Sequence, residues 1–176
     1  MGADDLRAVL AALKAHEEAA PFLTPVLWKE WNLLDYPEIV KNPMDLSTVE
    51  SKIESYQSLA EFEADLNLIW SNCRLYNPPE SEYAKMADRM ERLTFDAIAR
   101  LQGKQPDRPA TEAQKSNFVR GARALSERDL GVVIETVSRL CPEALLKISD
   151  EKMSVDVDKL DAPLLDYLAK QMPSAA

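Results

Sequence analysis

Histidine occurs once in this sequence, cysteine twice and glycine four times among 176 residues. The single His16 lies among Ala and Glu on what reads as an exposed helix face, which leaves no material for a histidine-based catalytic pair or metal cluster. Gly-rich phosphate loops and nucleophile motifs are missing as well. Carboxylates are plentiful but spread along helix faces, where they are solvated. These absences point away from an enzyme and imply neither a cofactor nor a metal. Cys73 and Cys141 stand far apart in the chain, which argues against a disulfide framework and for a reducing compartment. So few glycines leave strand-and-turn architectures short of turn residues, whereas runs of Ala, Leu, Glu and Lys favour helices.

Long hydrophobic runs are missing too. No stretch reaches the roughly 18 to 20 apolar residues that span a bilayer. The N-terminus is acidic and lacks the basic-then-apolar order of a signal peptide. Gly2 follows Met1, but Leu6 breaks the myristoylation pattern. No membrane partner is expected. Excess basic charge is absent: the formal net charge is −9, of which residues 1–102 hold −8. An acidic surface repels phosphate backbones and attracts basic peptides, so direct nucleic-acid binding is not expected. Taken alone, this charge describes any acidic soluble protein.

The apolar pattern that remains is helical. Leu6, Val9, Leu10 and Leu13 predict a helix over about 4–18, ended by Pro21. Residues 20–43 hold four prolines and eleven large apolar side chains without a sustained period. A loop this apolar is expected to pack on the helices as an ordered, functional segment. Asp45 can cap a helix over about 46–55. Ser58, with Glu61 completing a capping box, can start one running to Tyr76. A fourth helix, about 82–102, shows Met86, Met90, Leu93, Ala97 and Leu101 on one side. Four such helices make a bundle.

Residues 103–113, with Gly103, Pro106 and Pro109, read as a linker. Beyond it, Phe118, Ala122 and Leu125 suggest a short helix. Ser126 caps another over about 127–140. Met153 to Val157 alternates as a strand, and Asp161 caps a last helix. The expected fold class is all-α: a bundle over 1–102, the linker, then a small helical domain over 114–172 with one short strand segment.

Pro43-Met44-Asp45-Leu46-Ser47-Thr48-Val49, followed by Asn72-Cys73-Arg74-Leu75-Tyr76-Asn77-Pro78, resembles the bromodomain. Pro21-Phe22, Val26 and Leu33-Leu34-Asp35-Tyr36 match the loop after that family's first helix. The resemblance covers about residues 4–102 and implies a left-handed four-helix bundle. The second part, from Leu125-Ser126-Glu127 through Leu130-Gly131-Val132-Val133 and Pro142-Glu143 to Leu160 and Leu164, looks like the extra-terminal domain of bromodomain and extra-terminal (BET) proteins.

Acetylation leaves a neutral amide on an apolar stem, so a reader needs an apolar slot with few polar groups. By resemblance, Asn77 would donate its side-chain amide to the acetyl carbonyl, and Tyr36 would contact that carbonyl through a water. Phe22, Val26, Trp31, Leu33, Cys73 and Tyr76 would line the slot, with Tyr83 as gatekeeper. Each residue has a plainer reading. Asn77 before proline is also a helix C-cap. Cys73 is also a small buried hydrophobe. Tyr36, Phe22, Val26 and Trp31 can simply pack the loop on the core, so both readings bury them. Two departures from the family stand out. Ala20 replaces the usual Trp before Pro-Phe, and Tyr83 is bulkier than the Ile or Val of BET proteins, which implies a narrower slot favouring one acetyl-lysine.

For the second domain, resemblance implies capture of a partner segment of alternating basic and apolar residues, added as a strand beside Met153 to Val157. Val133, Val137, Met153, Val155 and Leu165 would form apolar pockets, and Asp156 and Asp158 would supply charge. Lys152 and Ser154 stand where acidic residues are expected. The same apolar stripe is equally that domain's own core. The resulting expectation is a monomeric, nuclear, non-enzymatic reader of acetylated histone tails that recruits a partner protein in chromatin and transcription regulation. The alternative is a protein–protein scaffold whose bromodomain has lost acetyl-lysine binding.

Overall fold

The computed structural model describes residues 2–105, 108–149 and 153–172. The chain divides into two units, 1–101 and 102–176.

In the first unit, α1 (Ala3–Lys14) buries Leu6, Val9, Leu10 and Leu13, the stripe its spacing predicts. It stops earlier than expected. His16 adopts extended backbone, and its Nδ1 accepts from the Glu18 amide at 3.3 Å, starting a 3-10 turn over Glu17–Phe22. Pro21 sits inside that turn and does not end α1. His16 is therefore a half-buried cap, not an exposed face residue.

The long loop does contain regular structure, the single turn α2 (Tyr36–Ile39). Its two ends are clamped together. The Ser47 amide donates to the Leu23 carbonyl at 3.1 Å, and Asn72 on the next long helix donates its side-chain amide to the Asn42 carbonyl at 2.8 Å. Asp45 caps α3 (Leu46–Ser51) as expected, and does more than cap. Its carboxylate, 4% exposed, accepts from the amides of Ser47 and Thr48 and from both their hydroxyls.

α4 (Leu59–Tyr76) starts at Ser58, whose hydroxyl accepts from the Glu61 amide. Glu61 reaches back to the Gln57 amide at 2.8 Å, one residue short of the expected capping box. α4 buries Phe62, Leu66, Ile69 and Trp70, and Phe22 meets Trp70 edge-on with ring centroids 5.0 Å apart. α5 (Glu82–Leu101) runs back against α4 and also packs on α1. Its deepest line is Ala84, Ala87, Met90, Thr94 and Ile98, one step around from the expected stripe. Short side chains there let the helix come close, while Met86, Leu93, Ala97 and Leu101 flank the contact.

In the second unit, residues 108–109 are already tied down. The Ala162 amide donates to the Arg108 carbonyl at 2.8 Å, and Pro109 bridges to Asp161. Thr111 and Gln114 form a reciprocal capping box that starts α6 (Glu112–Ala122). α7 (Glu127–Leu140) is capped by Ser126, and α8 (Ala162–Gln171) by Asp161. Met153 to Val157 is not a lone strand. β1 (Leu145–Lys147) pairs antiparallel with β2 (Met153–Val155), Leu146 opposite Ser154, and Val157 opens a 3-10 turn. The core gathers Phe118, Val133, Val137, Leu164, Leu165 and Leu168. Pro106 of the expected linker and Lys152 beside the expected strand lie outside the described residues.

All three tryptophans, Trp28, Trp31 and Trp70, belong to the first unit, so their fluorescence reports its unfolding alone. Asp45→Ala strips four donors of their acceptor and is expected to destabilise this unit by about 2 kcal/mol, the upper end for a helix cap. Urea titration followed by tryptophan emission checks this; a loss under about 0.5 kcal/mol, the low end for caps, would show that the carboxylate holds nothing.

Candidate functional site

The end of α4 meets the long loop at two tyrosines. Tyr36, 6% exposed, packs edge-on against Tyr76 with centroids 5.0 Å apart. The Tyr76 hydroxyl donates to the Asp35 carboxylate at 2.9 Å, which fixes the loop on the helix. Asn77 follows as the α4 C-cap, its own amide donating to the Cys73 carbonyl at 2.9 Å. The side-chain Nδ2 donates to the same carbonyl at 2.8 Å. The cap reading of Asn77 thus holds in this structure. A carboxamide nitrogen has two hydrogens, and the second contact of this one is Cys73 Sγ at 3.6 Å, a weak acceptor. Cys73 joins the far side, its Sγ 3.3 Å from the Tyr83 carbonyl at the start of α5.

Burial pushes the Cys73 thiol up to about 11, against smaller opposing effects of Arg74 and the Asn77 hydrogen bond. Burial also raises Tyr36, helped by Cys73 and Asp45. Tyr76 is raised by desolvation and then by its bond to Asp35. At neutral pH the thiol and both phenols therefore stay protonated. Asp45 is the buried charge nearby, and its oxygens are occupied by Ser47 and Thr48. A cationic ammonium entering here would lose its hydration, whereas a neutral amide needs only a donor for its oxygen.

The remaining expected lining residues divide into two groups. Phe22 is 6% exposed and sits in the core against Trp70, while Val26 and Leu33 are half-buried. Trp31 corrects the expectation that either reading would bury it. It is 57% exposed, as are Leu34 at 64% and Tyr83 at 54%. The reason is local. Leu33 N donates to the Trp28 carbonyl at 2.8 Å and Asn32 N to the Lys29 carbonyl at 3.3 Å, the paired bonds of a Schellman turn. Asn32 occupies the left-handed position that motif requires, at φ 55°. The turn is closed on itself and holds Trp31 outward. Ala20 is exposed where the family carries its Trp. Sequence reasoning missed Asn72, whose only signal was a polar residue on the apolar side of α4.

In the second unit the structure separates the expected partner-binding residues. Val133, Val137 and Leu165 are at most 3% exposed and build the unit's own core, so they form no exposed pocket. Met153 is 48% exposed, and Val155 is half-buried. Asp156 caps the turn after β2, and Asp158 pairs with Lys115 at 2.6 Å. Leu146, Ile148 and Val132, which were not expected at a site, stand 44%, 60% and 51% exposed. An open cavity of about 730 Å³ along α6 is lined by Lys115, Val119, Arg120, Arg123 and Val157 together with Asp158.

Residues 6–89 match the bromodomain family model. SWR1 complex bromodomain subunit bdf1 of Schizosaccharomyces pombe is 44% identical over 88 residues, covering 49% of this chain and 15% of that protein. Nucleosome-remodeling factor subunit NURF301 of Drosophila melanogaster is 41% identical over 90 residues, 50% of this chain and 3% of that protein. The chain spans only a small part of the length of these relatives. The fold is a bromodomain bundle followed by a small, mostly helical unit with a two-stranded sheet.

A thiol held near 11 reacts slowly, because only the thiolate attacks. In a Cys141→Ser variant, alkylation of Cys73 is expected to climb about tenfold per pH unit from 7 to beyond 9, past the roughly 8.5 at which an ordinary thiol levels off. A plateau near that ordinary value, read by mass spectrometry, would overturn the assignment.

Proposed function

We propose that the first unit is a non-enzymatic reader of acetylated lysine on histone tails, acting in the nucleus in chromatin and transcription regulation. The observation that carries this reading is the anchored Asn77 carboxamide. Its Nδ2 is tied to the Cys73 carbonyl, and its other contact is the protonated, weakly accepting Cys73 sulfur, which an acetyl oxygen would displace. Such a surface favours a neutral acetamide over an ammonium, which is the distinction a reader must make. Tyr36 would meet the acetyl oxygen through a water, while Val26 and Leu33 would contact the stem. Tyr83, at the mouth, narrows the slot to one acetyl group. The relatives are subunits of the SWR1 complex and of a nucleosome-remodeling factor, which agrees with a role in chromatin.

Calorimetric titration with acetylated and unmodified histone-tail peptides tests the reading. Binding near micromolar, about −8 kcal/mol, is expected only with the acetyl group. Asn77→Ala is expected to weaken it at least tenfold with the melting curve little changed. A folded protein that binds no acetylated peptide would favour a scaffold role instead.

The second unit, by its likeness to an extra-terminal domain, is proposed to recruit a partner protein. A segment alternating basic and apolar residues would extend the β1–β2 sheet and rest on the exposed Leu146, Ile148 and Met153. A synthetic lysine–leucine alternating peptide is expected to shift NMR resonances of residues 145–149 and 153–155 selectively, and Ile148→Ser to weaken that response severalfold. Shifts scattered over the unit, or none, would remove the proposal.

A further inference from the structure

We propose that Trp31 is a second recognition subsite, which holds the cationic side chain of an arginine or unmodified lysine close to the acetylated lysine in the same peptide. The inference rests on the acetyl-lysine reading of the Asn77 site.

An outward indole keeps apolar surface in water, and this one sits on a backbone turn that is closed on itself. The turn from Trp28 to Leu33 is closed by its own hydrogen bonds and by Asn32 at positive φ, so the backbone at Trp31 is fixed, and its side chain stands 57% exposed. The neighbouring tryptophan shows what such a ring attracts. Lys29 Nζ stands 5.1 Å from the centre of the Trp28 ring. Among the described residues no cation stands over Trp31. Exposed indole faces draw guanidinium and ammonium groups through the ring quadrupole.

The surrounding charge favours the same occupant. Glu30, Asp35 and Glu38 are exposed on this loop, and residues 1–102 carry a net −8. A hydrophobic flanking residue would gain nothing from those carboxylates, whereas a basic one gains from both ring and field.

Reach is set by the chain itself. Trp31 and Tyr36 are five steps apart along the chain, so their Cα atoms lie at most about 18 Å apart. An extended peptide advances about 3.3 Å per residue. The cation read by Trp31 therefore lies within about five positions of the acetyl-lysine.

The test uses the full chain and singly acetylated peptides that carry one arginine at successive positions from −5 to +5, each paired with a citrulline version of equal shape and no charge. At one or two adjacent positions, citrulline is expected to weaken wild-type binding about three- to fivefold, the range of an exposed cation–π contact. In Trp31→Leu that preference is expected to vanish, while binding still requires the acetyl group and Asn77. Repeating the pair in 0.5 M NaCl separates ring from field: screening removes the carboxylates' share and leaves the ring's. Equal citrulline losses in wild type and Trp31→Leu, or no loss at any position, would overturn the subsite and leave the Asn77 reading intact. Absence of acetyl-dependent binding in wild type would overturn both.

Discussion

The backbone amide of Ser47 is where the first unit is tied together. It donates both to the Leu23 carbonyl, where the long loop begins, and to the Asp45 carboxylate, where the loop ends. A loop of this length costs entropy to close, though that cost grows only slowly with length. The buried Asp45 carboxylate, satisfied by four donors, offsets it at one point. Asn72 adds a second tie at Asn42, from the helix that also supplies Cys73, Tyr76 and Asn77. The residues proposed to meet the ligand thus sit on both sides of a closure made by polar side chains, with the hydrophobic core behind it.

This division explains why the loop can be rich in apolar residues and yet leave several exposed. Its position does not depend on burying them. Phe22 and Tyr36 are committed to the interior, and the hydrogen-bonded ends carry the rest. Side chains such as Trp31 and Leu34 are then free to vary in chemistry without loss of the loop's path. Surface recognition and structural integrity are separated along one segment.

Much of this architecture was legible in the sequence where a cap side chain and an apolar period agree. Asp45, Ser58, Ser126 and Asp161 each start a helix at the expected residue, because a short polar side chain three positions before a free amide has few other partners. Less legible were features made by tertiary contacts. Leu145–Lys147 shows no alternation of its own and is a strand only because Met153–Val155 lies beside it. His16 cut α1 short through one side-chain acceptance that spacing does not encode. The bundle site residues could be named by resemblance, but not that Asn77 would be anchored by Cys73 or that Trp31 would face outward. In the second unit, periodicity identified Val133, Val137 and Leu165 as apolar without telling an inner face from an outer one.

The doubly bonded cap at Cys73 has a consequence for how affinity and folding are connected. The rotamer of Asn77 is selected when α4 forms, since its Nδ2 and its backbone amide close on the same carbonyl. Its disorder is therefore lost on folding and is not lost again when a ligand arrives. A substitution that frays the last turn of α4 would loosen the proposed donor before any contact with a ligand is touched. Weak binding and local melting of that turn would then be two readouts of a single equilibrium.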